Sequence, residues 1–269
     1  MFSQYQTRLR GRAAALLLTL EARLDRIMII WLLAASAACA VRLAFSPLAV
    51  PFDLKATAPY LLLTLAPVAS MVLALRWFAE GKRQPQPQFR LSRVGRWTDV
   101  ARSEAKAHPL YGTSGIMVSL LVGMLLNIPV RGLGYLGAMP AISGPVPAWL
   151  SVLRTMMTLD VVLMSSLYAI AFVAALRRVP LFPRLLVAIW CLDIFVQLLT
   201  AQLVVQSSGL PSAVASALHE LLSGNVTKAL ISAGLWLPYL LLSTRVNVTF
   251  RHRVPARRGP SRNESRKTG

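Results

Sequence analysis

Two acids, Asp160 and Asp193, lie inside long apolar runs of this 269-residue chain, as do two arginines, Arg42 and Arg131. An ionised side chain in hydrocarbon costs at least ~2.5–3.5 kcal/mol on insertion scales, so such groups pair, line a cavity or carry protons. At ~1.5 Å of helix rise per residue, Arg42 and Arg131 each lie roughly 22 Å from the start of their runs. Asp160 lies roughly 9 Å inward from Arg154. All three fall in the same outer third of a ~30 Å hydrocarbon layer. The spacing predicts an ion pair between Asp160 and Arg42, Arg131 or both; the plainer alternative is that the arginines snorkel to head groups.

Asp193 falls roughly 13 Å above Arg184, close to the midplane of such a layer, where no basic residue is expected. Gln197 and Thr200 follow at i+4 and i+7, so the three make one polar stripe on an otherwise apolar helix. A carboxyl there relays a proton or holds a polar solute; the plainer reading is a hydrogen bond to a neighbouring helix, acting as packing glue.

Catalytic arrangements are poorly supported. Gly112-Thr-Ser-Gly115 matches the Gly-x-Ser-Gly of rhomboid intramembrane proteases, but a serine nucleophile needs a histidine within reach. His108 and His252 fall on polar segments and His219 on the opposite side of the membrane, and these three have no metal-ligand spacing. No phosphate-cradling glycine loop followed by lysine occurs. The expectation is a protein that is not an enzyme and has no metal or cofactor. Cys39 and Cys191 both sit within apolar runs and read as small core residues.

The elements that must carry these residues follow from composition. Hydrophobic residues make up 55% of the chain and charged ones 14%, against the ~25% charge usual in soluble domains, and mean hydropathy is +0.57. Six runs are long enough to cross a bilayer, starting near residues 27, 58, 114, 155, 184 and 226. The fold class expected is an all-α integral membrane protein of six transmembrane helices with short interfacial amphipathic helices. Its organisation reads as a basic amphipathic segment at 1–26, a two-span hairpin at 27–79, a basic loop at 80–112, a four-span core at 113–250 and a disordered basic tail at 251–269. Within these, 92–107 is expected to form a surface helix and 207–227 a second one ahead of a sixth span from Val226.

The net charge of +19 is unevenly distributed: 24 of the 29 lysines and arginines fall in 1–26, 76–112, 177–184 and 245–269. In a six-span chain these segments share one side, so the positive-inside rule predicts both termini in the cytoplasm of a bacterial cell, with the protein in its inner membrane. Basic residues beside spans fit anionic lipid head groups, and nucleic acid is not an expected partner.

Near the C-terminus, Trp236, Pro238 and Tyr239 are followed by Ser243, Arg245 and Val246, then by Thr249 and Phe250. This Trp-x-Pro-Tyr, Ser-x-Arg-Val, Thr-Phe succession resembles the closing signature of a bacterial family of small, mostly four-span inner-membrane proteins of unknown function. Tyr111-Gly112 with Gly115, and the turn Arg177-Arg-Val-Pro-Leu-Phe-Pro-Arg184, are similar to that family's entry and its basic turn. Ile116 stands where the family has tryptophan. The likeness spans about residues 110–250 and implies an architecture without a chemistry.

Two readings follow. The leading one is a non-enzymatic membrane component that binds a membrane-protein partner or anionic lipids through its basic surfaces. The alternative is a small transporter or channel-like protein using Asp193, Gln197, Asp160 and Arg131. They part at one feature: a dry, close-packed interface at the polar stripe excludes transport.

Overall fold

The computed structural model describes residue 11 and residues 15–46, 53–87 and 96–256. Six helices in it are long and apolar enough to cross a membrane: α1 (Leu24–Ala44), α2 (Leu54–Trp77), α4 (Ile116–Ala138), α5 (Ala148–Leu176), α6 (Phe182–Gln206) and α7 (Ser212–Leu242). Each exceeds the ~20 residues that a hydrocarbon layer requires. Between α2 and α4 lie a short strand β1 (Trp97–Asp99) and a six-residue helix α3 (Arg102–Ala107).

The bundle is organised around α5, which packs against α2, α4 and α6. Its last eight residues, Ala169–Leu176, are buried almost throughout and rich in alanine, which lets neighbouring backbones approach closely. Helix α1 packs outside, on α2 and α4. There Trp31 Nε1 donates to the Thr64 carbonyl at 3.0 Å, three residues ahead of Pro67, whose missing N–H interrupts the α2 ladder. Gly132 accommodates that indole: a Cβ there would sit 3.2 Å from the Trp31 ring.

The turn between α5 and α6 shows how the sequence stops a helix without glycine. Val179 N–H donates to the Ala174 carbonyl and Arg178 N–H to that of Ala175, at 2.8 and 3.1 Å. This is the Schellman pattern, with Arg178 in the left-handed position at φ 56°. A non-glycine residue there costs roughly 1–3 kcal/mol. The Arg178 guanidinium lies 5.4 Å over the Tyr111 ring, a cation–π contact that offsets part of that strain.

Several sequence expectations change. The surface helix over 207–227 and a span starting at Val226 are instead one helix, α7, of 31 residues. Gly224 does not end it, because an isolated glycine costs a helix only ~1 kcal/mol. The amphipathic helix over 92–107 is reduced to α3: Trp97–Asp99 is extended, and residues 92–95 lie outside the described residues. The tail is structured further than expected. After α7 a short turn (Thr244–Val246) and a π-turn (Asn247–Arg251) lead into β2 (Arg253–Pro255). β2 pairs antiparallel with β1, Thr98 opposite Val254, and Arg253 Nε donates to Asp99 Oδ1 at 2.9 Å. Residues 257–269 lie outside the described residues.

His252 is the hinge of this strap. It is left-handed (φ 52°), and burial, followed by the nearby charges of Arg102 and Lys106, pushes its pKa below the usual histidine value. The folded strap therefore favours neutral imidazole. Its stabilising contribution is complete above pH ~6.5 and declines as the pH falls below that value, where the unfolded chain takes up the proton first. Hydrogen exchange across 97–100 and 252–255, corrected for intrinsic rates, should show a strap that opens more at pH 5 than at pH 7. His252→Asn, which tolerates the left-handed conformation, should remove that dependence.

Candidate functional site

Arg131 lies seven residues before the last residue of α4 and two after Pro129 on the same helix. Asn127 lies four residues earlier, so its side chain occupies the same helical face. Arg131 Nε donates to Asn127 Oδ1 at 2.9 Å, which leaves both ends of the guanidinium fork directed away from α4. One end donates to Asp160 Oδ2 on α5 at 2.9 Å, and the other to Asp193 Oδ2 on α6. Three helices thus meet on one cation.

A second layer surrounds the triad. Gln197, one turn beyond Asp193, donates to Asp160 Oδ1 at 2.9 Å, so both oxygens of that carboxyl are engaged. Asn225 of α7 reaches the Gln197 carbonyl oxygen at 3.4 Å. The Tyr168 ring lies 5.9 Å from the Arg131 guanidinium. Asp193 Oδ1 is buried and has no hydrogen-bond partner among the described residues. One guanidinium faces two carboxyls, so charge balance of the triad calls for one further positive charge, a proton or a cation.

This network lines a cavity of about 270 Å³ bounded by α4, α5, α6 and α7. Asn127, Arg131 and Asp160 form one wall, and Asn225, Lys228 and Ser232 form the α7 wall. The latter three repeat at i, i+3 and i+7 and share one helical face. A space of this size could hold several waters or one small solute. A second cavity, about 380 Å³ between α1, α2 and α4, is lined by apolar residues such as Trp31, Met71 and Leu125.

The structure brings together Arg131, Asp160, Asp193 and Gln197, which the sequence had treated as two separate groups. Arg42 does not join them: its Nε donates to the Met139 carbonyl at 3.4 Å. Depth alone suggested that pairing, but α1 packs on α2 and α4 whereas Asp160 belongs to α5. The expectation that no base reaches the level of Asp193 also fails, because the arginine side chain spans the difference in depth that residue counting assigns as fixed. Thr200 is buried and bonds its own helix, donating to the Val196 carbonyl at 2.7 Å. Asn225, Lys228 and Ser232 were missed, because dividing the segment at Val226 cut their stripe in two.

The C-terminal signature residues lock the chain end onto the rest of the bundle. Trp236 and Tyr239, either side of the helical Pro238, stack edge to face at 5.9 Å. The Ser243 carbonyl accepts from the Asn247 side chain, and Val246 is fully buried. Arg245 donates to Ser114 Oγ at 2.7 Å, so that hydroxyl of the Gly-x-Ser-Gly stretch is engaged by an arginine. Thr249 Oγ1 accepts from the Gly112 amide at 2.9 Å, and Phe250 packs on Phe182 with ring centroids 5.0 Å apart.

Removing the shared cation leaves two carboxyls without a counterion. Arg131→Met should lower stability in detergent by roughly 3–5 kcal/mol, the usual effect of breaking a buried pair from one side. Asp160→Asn should cost clearly less on the Arg131→Met background than alone, with a coupling of roughly 0.5–3 kcal/mol. Chemical-denaturation midpoints of the four proteins provide the check, and strict additivity would mean that the pair is not coupled.

A family described as a protein of unknown function (DUF2569) matches residues 139–251. That stretch begins in the loop before α5 and ends at Arg251, so it is shorter than the likeness from about residue 110 suggested. It includes Asp160, Asp193 and the α7 wall but excludes Arg131. No curated protein and no solved structure matches the chain. Residues 139–251 are thus similar to a family whose function is not established, and the shared cation is contributed by α4, outside the matched region.

Proposed function

We propose that this multi-pass membrane protein binds and passes a small polar solute through the cavity between α4 and α7. The observation that carries this reading is a cavity of about 270 Å³ whose mixed lining includes the ion-paired triad, at membrane depth. Of the stripe on α6, Gln197 and Thr200 are buried in the packed interface and only Asp193 borders the cavity; polar groups inside a membrane bundle that face a cavity mark solute or ion pathways. The broken ladder at Pro129 supplies a flexible point in α4 beside Arg131. The bacterial inner membrane, with the end that carries the α5–α6 turn in the cytoplasm, is the setting that the basic-residue distribution favours. The C-terminal signature and a mostly four-span relationship belong to the same proposal, with α1 and α2 as an addition to the core.

The test is water access. In a chain with Cys39 and Cys191 replaced by alanine, Ser232→Cys should react with a membrane-impermeant thiol reagent in intact vesicles. Gly134 also lines the cavity, and a Cβ there meets nothing within 4 Å. Adding Gly134→Phe should abolish the labelling while leaving stability within about 0.5 kcal/mol, as expected for a substitution into open space. An unreactive Ser232→Cys would indicate a dry interface and remove the transport reading.

A second reading, binding of anionic lipids or an acidic membrane partner, rests on the basic end. Burial, followed by the charges of Arg253 and Arg184, lowers the Arg251 pKa to about 10. Its Nη2 has no hydrogen-bond partner among the described residues. Anionic head groups would offset such crowded cations, each basic residue near the surface contributing ~1 kcal/mol. Native mass spectrometry from nanodiscs should show phosphatidylglycerol retained over phosphatidylcholine, and less of it with Arg251→Gln. Equal retention of the two lipids would count against this reading.

A further inference from the structure

We infer that the apolar groove between α1, α2 and α4 holds one acyl chain of an anionic phospholipid, whose head group rests on Arg23 and Arg26 at the start of α1. This site is separate from the solute cavity and from Arg251, and it depends on neither of those readings. The groove measures about 380 Å³, and its α1 wall runs from Ile27 to Ala38. At ~1.5 Å of rise per residue that wall is ~16 Å long, so the space is roughly 5 Å across. A helix with its side chains is ~10–12 Å wide and cannot enter, whether it comes from a second copy or from a partner. A single extended hydrocarbon chain fits.

The lining selects for hydrocarbon. Its one side-chain N–H, Nε1 of Trp31, is already donated to the Thr64 carbonyl at 3.0 Å. Water in the groove would have no polar partner, and an apolar space left empty forfeits the contacts of its walls. Ile30 on α1 and Leu126 and Leu133 on α4 border the groove and are exposed, so it opens on the outer surface of the bundle, which faces lipid.

Charge at one end supplies the rest. Arg23 and Arg26 stand four residues before Ile27 and Ile30, which both line the groove, so each lies one turn beyond it on the same helical face. Both are exposed and form no ion pair among the described residues. The nearby acids do not cancel them on that face. Asp25 stands four residues before Ile29, which is not part of the lining, and Glu21 pairs with Arg177 at 3.5 Å. That pair also sets the start of α1 beside the α5–α6 turn, at the basic end of the bundle. An apolar channel that runs inward from that end, with two guanidinium groups at its mouth, matches a phosphate joined to a fatty chain.

The experiment uses the full chain in phosphatidylcholine vesicles, with phosphatidylglycerol or phosphatidylcholine carrying a dibrominated acyl chain as the probe. Bromine quenches indole fluorescence on contact, and Trp31 lines the groove, so the difference between the parent and Trp31→Phe isolates its signal. Quenching of Trp31 should saturate at a fraction of brominated phosphatidylglycerol about fivefold or more below that needed with phosphatidylcholine. Each basic residue near the surface contributes about fivefold, so Arg23→Gln combined with Arg26→Gln should bring the two lipids within about twofold. Both arginines are exposed, so this variant should melt like the parent, which separates lost preference from lost fold. Ala34→Phe, also at an exposed position, puts a ring into the groove and should remove the saturating component. Quenching that rises in proportion to brominated lipid, equally for the two head groups, means bulk contact only and overturns the site. Absence of quenching means that protein covers the groove and overturns it too. A saturating signal that Ala34→Phe leaves unchanged, or a lipid preference that survives loss of both arginines, does the same.

Discussion

One arginine, largely enclosed among helices and shared by two carboxyls, is the constraint on which the rest of this bundle depends. Three charged groups in a low-dielectric layer tolerate little displacement: an uncompensated charge there costs several kcal/mol, more than any single apolar contact contributes. Arg131, Asp160 and Asp193 therefore set the rotation and relative height of α4, α5 and α6. The apolar seams then have to close around that arrangement. Alanine along α5 and glycine at position 132 allow the close approach it requires.

The bundle has a rigid end and a more open middle. At the basic end, the Schellman turn, the Thr249–Gly112 pair, the Arg245–Ser114 bond and the two-stranded strap tie loop to tail. Away from that end, α7 is largely exposed and packs chiefly on α6, and the cavity lies between it and α4. A helix clamped at one end and sparsely packed along its length can move without disturbing the core. That asymmetry is what a solute site inside a membrane needs: fixed charges on one wall, and a wall that can yield on the other.

The stretch similar to a family of unknown function runs from the loop before α5 through the π-turn. It contains both acids and the α7 wall, whereas the cation they share lies on α4. The unit that makes chemical sense is thus larger than the matched region. The carboxyls at 160 and 193 would be left without a counterion in a bundle of α5–α7 alone.

Hydropathy and length determined the spans, because a bilayer admits few alternatives to ~20 apolar residues in a helix. The cost of charge in hydrocarbon marked Asp160, Arg131 and Asp193 as residues requiring an explanation. What the sequence alone could not decide was which of them meet. Depth along a helix can be counted, but the rotation of each helix and the identity of its neighbours are set by packing. That is why Arg42, at the right depth on α1, bonds the Met139 carbonyl instead. Arg131, counted as too distant, reaches Asp193 through the length of its side chain. Only the tertiary structure joined Asn225, Lys228 and Ser232 into one wall, because a continuous α7 depends on its packing against α6 and no local signal around Gly224 specifies it.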